Sequence, residues 1–173
     1  MVKIVTIPHP ALRKISKEVS MKEISSSQFK KLLEDMSVAL KTRDDGVGLS
    51  APQIAINQRV FVVAGRIFDK DKTVANPSKD EYFINPVITK SSKKLSTIEE
   101  GCLSIPNTYG LVKRPSAVTL EYLDPSGEKK TKKATSLLAR IFQHEIDHLD
   151  GILFTDKATN IKHQEDNAIN KEL

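Results

Sequence analysis

Two histidines and a glutamate are spaced for metal chemistry in the segment QHEIDH, residues 143–148. On a helix, residues four apart lie one turn apart on the same face, so His144 and His148 can bind one metal ion. Glu145 can reach a metal-bound water and accept its proton. The pattern predicts a metal-dependent hydrolytic site; the structural alternative is a pair of surface or core histidines.

The element that must position these residues is a helix. It is predicted to follow a cap at Thr135 or Ser136 and to run to Asp150, where Gly151 stops it. One stripe at helical spacing contains Leu137, Ile141, His144 and His148. Because the stripe is apolar before the histidines, both imidazoles are expected to face the core.

A catalytic site of this kind needs a third protein ligand and one position open to water. Phe154 stands where a distant histidine of a zinc protease would lie, and Glu165 is an acidic alternative in a short, polar tail. Cys102 is the remaining candidate. A lone cysteine is more often a small buried apolar residue, but the adjacent Gly101 lets backbone approach closely, and the site lacks a third ligand.

Composition limits the class of protein. A length of 173 residues suits one domain with its own core. Hydrophobic residues make up 39%, and no apolar run approaches the roughly 18 residues of a spanning helix, so no membrane partner is predicted. The single cysteine excludes an internal disulfide. A reducing location, the cytoplasm, is expected, with an organelle as the alternative.

The charge is mildly basic, with a formal net value of +5. Such an excess favours anionic partners, including nucleic acid. The densest basic run, residues 128–133, follows a turn signal at 124–127 and is interpreted as the solvated face of a hairpin strand. Aromatic residues are 5% with no tryptophan, so no specific nucleic-acid partner is predicted.

The other elements are read from periodicity and from turn residues. A first helix is predicted after the serines at 25–27 and ends before Asp44, and the glycine-rich segment 46–53 interrupts helical structure. Strands are predicted at 1–7, 59–63, 82–89, 117–123 and 129–134, the last two as a hairpin. Pro86 predicts an edge strand or a bulge. Residues 65–80 are expected to form an exposed loop, and the tail after 155 a short helix or a frayed end.

Three segments together resemble the peptide deformylase family: GVGLSAPQ at 46–53, EGCLS at 100–104 and QHEIDHLDG at 143–151. PHPALR at 8–13 is similar to the family's N-terminal segment. The resemblance extends to about Thr155. Ser50 departs from it, because the family usually carries alanine there, and the polar stretch 65–80 is longer than expected.

The resemblance implies an α+β fold in which antiparallel β-sheets pack around a central helix carrying the HExxH motif. It also implies one catalytic metallohydrolase domain over 1–173 that removes the formyl group from the N-terminal formylmethionine of new polypeptides. The family metal is Fe²⁺, with Zn²⁺, Ni²⁺ or Co²⁺ as replacements. N-formylmethionyl nascent peptides are therefore the expected partners of a monomeric enzyme, and the +5 charge permits weak affinity for the ribosome.

The resemblance also implies a role for each site residue. The metal ligands are Cys102, His144 and His148, and Glu145 is the base. The Gln53 side-chain amide and the Leu103 backbone N–H donate to the developing oxyanion. The residues implied in substrate binding are Val47, Gly48 and Gly101, which pair with the peptide as an added strand, and Leu137 and Ile141, which line the methionine pocket. Arg114 is expected to support Glu100 or Asp147.

Two other functions remain open from the sequence. An HExxH endopeptidase would use Glu165 as third ligand and would not need Cys102. A basic ribosome- or RNA-binding module would hold a structural metal, and such sites are normally closed by four protein ligands. The single cysteine and the lack of an evident fourth ligand count against that module.

Overall fold

The computed structural model describes residues 2–69 and 78–164. The α-helices within these ranges are α1 (Met21–Ile24), α2 (Ser27–Leu40) and α3 (Ser136–Leu149). The strands are β1 (Gly48–Ser50), β2 (Val60–Val63), β3 (Glu81–Ser91), β4 (Leu95–Cys102), β5 (Ile105–Pro115), β6 (Ala117–Leu123), β7 (Lys129–Thr135) and β8 (Thr159–His163). Short 3-10 turns occupy Pro10–Arg13, Ala51–Ile54, Gly65–Ile67 and Phe154–Asp156.

These strands form two antiparallel sheets, so the predicted α+β class is confirmed. One sheet has the order β1-β2-β3-β6-β7, and the other has the order β4-β5-β8. The predicted hairpin is β6 and β7, which pair from Ala117 opposite Thr135 to Leu123 opposite Lys129. β1 and β4 each lie at an edge of their sheet, so each has one side without a strand partner among the described residues.

Helix α3 contacts strands of both sheets, namely β1, β2, β6 and β7 of the larger sheet and β5 of the smaller one. The side of the helix that faces the larger sheet carries Phe142, which is fully buried. The Phe142 ring lies 4.8 Å from that of Phe83 on β3 and 5.8 Å from that of Phe61 on β2. This aromatic cluster fixes the depth at which the helix sits on the sheet.

Helix α2 begins and ends close to the prediction. The Ser26 hydroxyl accepts a hydrogen bond from the Phe29 N–H at 3.1 Å, which satisfies one unpaired amide of the first turn. The apolar face of the helix, including Phe29, Leu33 and Met36, is buried against β1 and β2. None of the described helices is long and apolar enough to cross a membrane.

Pro86 marks a bulge and not a sheet edge. β3 pairs with β2 on one side and β6 on the other, and its register shifts between Ile84 and Val87. Asn85 at the bulge has a positive φ of 48°. Its side-chain amide accepts from the N–H of Val19 and donates to the Val19 carbonyl, both at 2.8 Å.

Two other predictions are wrong. Of the tail after 155, the described residues up to 164 form the end of a 3-10 turn and then β8, instead of a helix or a frayed end, because β8 pairs with β5; residues 165–173 lie outside the described residues. Of the predicted strand 1–7, the described residues 2–7 do not belong to a strand. They still lie along the site segments, since the Val5 N–H donates to the Gln53 carbonyl at 2.8 Å and the Ile7 N–H to the Ser104 carbonyl at 3.0 Å. Of the predicted loop 65–80, residues 70–77 lie outside the described residues.

Replacing Phe142 by alanine should lower the free energy of unfolding by about 3–5 kcal/mol, because it leaves a cavity between α3 and the sheet. Urea unfolding measures the change. The matched control is Val38→Ala, since this side chain on α2 is 53% exposed and its loss should change stability by no more than about 0.5 kcal/mol. Equal losses for the two variants would contradict the role of the aromatic cluster.

Candidate metal centre and active site

The sequence-predicted ligands converge in space. One ligand atom from each of Cys102, His144 and His148 lies within 4.8 Å of the other two. The Cys102 Sγ is 3.2 Å from His148 Nε2. Cys102 ends β4, whereas both histidines lie on α3, so the cluster joins the smaller sheet to the helix. A thiol and two imidazoles form a donor set suited to zinc, iron, nickel or cobalt.

Cys102 is turned into the site by an irregular end of the β4–β5 pair. The register is regular down to Gly101 opposite Tyr109 and shifts before Cys102, which pairs with Ile105. The Ser104 N–H points back at the Cys102 Sγ at 3.4 Å. A Cβ at Gly101 would lie 2.9 Å from the Tyr109 ring. A larger residue would collide with this ring, so glycine lets the β4 backbone pass close to Tyr109 just before Cys102.

Glu100 orients the first histidine. Its Oε2 lies 3.0 Å from His144 Nδ1, which leaves the other ring nitrogen for the donor cluster. Arg114 donates to both carboxylate oxygens of Glu100, at 2.6 and 2.9 Å, and Arg140 adds a third contact at 2.5 Å. Arg114 also donates to Asp147 at 2.7 Å, so the predicted support extends to both expected carboxylates.

The charges of this network follow from burial and from hydrogen bonding. Burial alone would raise the pKa of Glu100, but His144 and Arg114 outweigh it and hold the carboxyl pKa well below its ordinary value. Burial lowers the pKa of His148 well below its ordinary value, so this imidazole is neutral and offers a lone pair. Burial also acts to lower the pKa of His144, yet hydrogen bonds with Cys102 and Glu100 raise it to about 10. A cation at this ring must therefore compete with a proton.

Glu145 is buried beside the donor cluster. Its Oε2 has no hydrogen-bond partner among the described residues. Burial, partly offset by the charge of His144, raises the pKa of Glu145 to about 7, which suits a general base near neutral pH. A Cβ at Gly48 would lie only 2.6 Å from Glu145 Oε1, so the absence of a side chain on β1 makes room for this carboxylate.

Gln53 is oriented by Ser50. The Ser50 N–H and hydroxyl both donate to Gln53 Oε1, at 2.9 and 3.1 Å. The Nε2 group consequently points toward the site, 3.6 Å from the Cys102 Sγ and 3.2 Å from the Ser104 Oγ. Ser50, the departure from the family pattern, thus adds a hydrogen bond that alanine cannot make and helps to fix the amide.

A cavity of about 400 Å³ opens in front of these groups. It is lined by ten of the eleven residues to which the sequence assigns a ligand, catalytic or substrate-binding role, namely Val47, Gly48, Gln53, Gly101, Cys102, Leu103, Leu137, Ile141, His144 and Glu145. The remaining one, His148, is buried next to the cavity and belongs to the donor cluster. Phe154 packs against the His144 ring at 6.3 Å, and the alternative ligand Glu165 lies outside the described residues.

Sequence reasoning missed several residues of the cavity wall, including Arg43, Asp45, Glu99, Tyr109 and Arg140. For Arg140 a signal was present, since it precedes His144 by four residues and must share its face of α3. Tyr109 and Glu99 gave no such signal. They reach the wall through the pairing of β4 with β5, which is not visible in local periodicity.

Fold and site together are those of an α+β hydrolase in which a cysteine and two histidines cluster beside a buried carboxylate. The polypeptide deformylase family model matches residues 1–164, and the chain belongs to this family. Its members are metal-dependent hydrolases that remove the N-formyl group from nascent polypeptides.

Individual peptide deformylases are similar to this protein over nearly the whole chain. The peptide deformylase of Rhizobium meliloti (strain 1021) is 40% identical over 162 residues, which cover 92% of this chain and 86% of the relative. The Met-Ala-Ser bound structure of class I type b peptide deformylase from Acinetobacter baumannii has a TM-score of 0.79 at 35% identity, covering 89% of this chain and 96% of that one. The structure of the peptide deformylase from Synechococcus elongatus in complex with actinonin has a TM-score of 0.78 at 34% identity, covering 91% of this chain and 78% of that one.

Metal binding should depend on Cys102. We expect Cys102→Ala to lose most of its metal after dialysis, because two imidazoles remain as the only protein donors of the cluster. Metal per chain, measured by elemental analysis, checks this. His9→Ala is the control, since His9 is an exposed histidine whose ring accepts the Ala11 N–H. Full metal content in Cys102→Ala would contradict the ligand set.

Gly48→Ala should slow catalysis while leaving metal content unchanged. The new methyl group would displace the Glu145 carboxylate, and a displacement of about 1 Å costs up to about 10²-fold in rate. A double-mutant cycle in kcat checks the mechanism, because Gly48→Ala should have little further effect when Glu145 is already alanine. Additive losses would show that the methyl group acts elsewhere.

Proposed function

We propose that the cavity binds the N-terminal formylmethionine of a new polypeptide and that the residues around it hydrolyse the formyl amide. The observation that carries the proposal is the convergence of Cys102, His144 and His148 beside a buried Glu145 carboxylate whose Oε2 has no partner among the described residues. Gln53 directs its side-chain amide toward the Cys102 Sγ at 3.6 Å, and it lines the same cavity as Glu145. Metal donors, a base and an oxyanion donor are the three parts that metal-assisted amide hydrolysis uses.

We propose Cys102, His144 and His148 as the ligands of a divalent ion, with Fe²⁺ as the native metal and Zn²⁺, Ni²⁺ or Co²⁺ as replacements. The fit is supported by the donor chemistry, since a thiol and two imidazoles suit all four ions. It is also supported by the Glu100 contact, which leaves one ring nitrogen of His144 for a metal. When bound, such an ion lowers the pKa of water and polarises a carbonyl oxygen.

The protein residues then perform the proton transfers. Glu145 accepts a proton from the attacking water while the water oxygen forms a bond to the formyl carbon. Negative charge moves to the formyl oxygen, where Gln53 Nε2 and the Leu103 backbone N–H donate hydrogen bonds. Glu145 returns its proton to the departing amide nitrogen as the C–N bond breaks. The products are formate and a free N-terminal methionine.

The cavity walls support a peptide bound as an extra strand. Val47 and Gly48 lie at or beside the edge strand β1, and Gly101 lies on the edge strand β4. Unpaired backbone groups on such edges accept an extended peptide. Leu137 and Ile141, at the start and middle of α3, provide the apolar wall for the methionine side chain.

The alternatives are less well supported. An endopeptidase that uses Glu165 does not account for the Cys102 Sγ in the donor cluster. An RNA-binding module with a structural metal would need a fourth protein ligand, but the donor cluster among the described residues contains three, Cys102, His144 and His148. Deformylation is the function that uses all of the converging groups.

We also propose that the chain acts as one catalytic domain over 1–173, that it is a monomer, that it works in the cytoplasm, and that it binds the ribosome weakly. The match of the family model over residues 1–164 supports the first. The single cysteine supports a reducing compartment. The +5 net charge supports contact with ribosomal RNA.

Release of formate from formyl-Met-Ala-Ser tests the activity. We expect the metal-loaded protein to release formate, a chelator to stop the reaction, and added Fe²⁺, Ni²⁺ or Co²⁺ to restore it. Acetyl-Met-Ala-Ser is the matched control, because its extra methyl group blocks close approach to the cluster. Absence of formate release from protein with a full complement of metal would contradict the proposal.

Glu145→Gln tests the proposed base. The variant keeps the size of the side chain and the three ligands, so metal content and thermal melting should change little. Loss of a positioned proton acceptor should lower kcat and kcat/KM together by about 10²–10⁴-fold. Steady-state kinetics on the formyl peptide measure both. Near-normal kcat with intact metal would exclude Glu145 as the base, and loss of metal would assign it a structural role.

A further inference from the structure

Arg140 makes several polar contacts beside the site that the proposed mechanism does not use. It lies on α3 and is only 6% exposed. Nη1 donates to Glu100 Oε1 at 2.5 Å and to the Val112 carbonyl at 3.0 Å. Nη2 donates to the carbonyl and the hydroxyl of Ser96, at 3.0 and 3.1 Å. One guanidinium therefore joins the helix to β4 at two levels and to β5.

This placement matters because the donor cluster is divided between the same elements. Cys102 lies on β4, whereas His144 and His148 lie on α3. The helix packs directly on β5 of the smaller sheet, while β4 lies beyond β5 at the sheet edge. Arg140 spans this gap one helical turn before His144, and it reaches β4 both at Glu100 and at Ser96.

Arg140 also completes the hydrogen bonding of Glu100. Arg114 approaches this carboxylate in a bidentate manner, and His144 Nδ1 contacts Oε2. The contact from Arg140 falls on Oε1, so it adds a second cation on the side away from the histidine. With Oε1 held by two arginines, the carboxylate cannot rotate, and Oε2 stays directed at His144.

We propose that Arg140 is a positioning residue that sets the spacing of Cys102 from the two histidines and holds Glu100 against His144. The inference rests on the proposed function, since it takes the three residues to be metal ligands. An arginine is required because its planar fork serves four acceptors at once, whereas a lysine offers a single charged nitrogen. Arg140 acts through Glu100 and β4, not by contact with the cleaved bond.

Metal affinity and metal spectroscopy test this role. Arg140→Met and Arg140→Lys are compared with Arg59→Met as the matched control. Arg59 also joins a strand to the helix, because it precedes β2 and donates to Asp150 at the end of α3 at 2.6 Å, away from Glu100. Co²⁺ binding is measured by competition with a chelator, and the visible absorption bands of bound Co²⁺ report the arrangement of its ligands. Thermal melting is recorded for all variants.

We expect Arg140→Met to bind Co²⁺ about 10–100-fold more weakly, as is typical when a group supporting a ligand is lost, and its absorption bands to shift. Arg140→Lys should fall between this variant and the wild type. Arg59→Met should keep wild-type affinity and bands even where its melting temperature falls. Melting temperature thus reports a general loss of stability, whereas Co²⁺ affinity and the absorption bands report the positioning of the ligands.

Wild-type affinity and unchanged bands in folded Arg140→Met would overturn the inference; if that variant does not fold, the same result for Arg140→Lys would overturn it. Equal weakening of Co²⁺ binding in Arg59→Met would also overturn it, because the effect would then be general loosening of α3. Failure of the wild-type protein to bind Co²⁺ would instead contradict the proposed function, on which this inference depends.

Discussion

The buried carboxylate of Glu100 is the interaction on which the site depends. It joins Arg114 on β5, Arg140 on α3 and the imidazole of His144, all of them largely shielded from water. Because Glu100 lies on β4 and its partners lie on β5 and α3, the site can assemble only when all three elements are in place. The same carboxylate decides which nitrogen of His144 faces the donor cluster.

The network makes the site rigid rather than simply stable. Taking charges out of water is costly, and a buried pair often adds little net stability over apolar residues of the same size. Removing one partner is a different matter, because it leaves an uncompensated buried charge at a cost of about 3–5 kcal/mol. Arg114 extends the constraint to Asp147, whose second oxygen accepts from Lys157 at 2.6 Å. The segment after α3 is thus tied to the centre just before it pairs with β5 as β8.

Local patterns in the sequence predicted the parts of the site that local structure determines. The spacing of His144 and His148 defined the helix and its inward face, and the turn at 124–127 defined the hairpin of β6 and β7. β1, β4, β5 and β8 were not predicted. β1 has only three residues, and the residues of β4 and β8 are almost all exposed or half-buried and show no regular alternation. The role of Arg140 depends on the position of β4, so it could not be derived before that strand was known. The spacing also predicted His144 and His148 as ligands and Glu145 as the base, whereas the roles of Gln53, Leu103 and the pocket residues were inferred by resemblance. All of these roles stay predictions that the geometry supports.

X-ray absorption spectroscopy of the Co²⁺- or Ni²⁺-loaded protein identifies the atoms bound to the metal without depending on activity. We expect one metal ion per chain, with one sulfur and two imidazole nitrogens among its ligands. A spectrum fitted by nitrogen and oxygen alone, without sulfur, would contradict the assignment of Cys102. If the spectrum still showed two imidazole ligands after both His144 and His148 were replaced, the assignment of these two histidines would be contradicted.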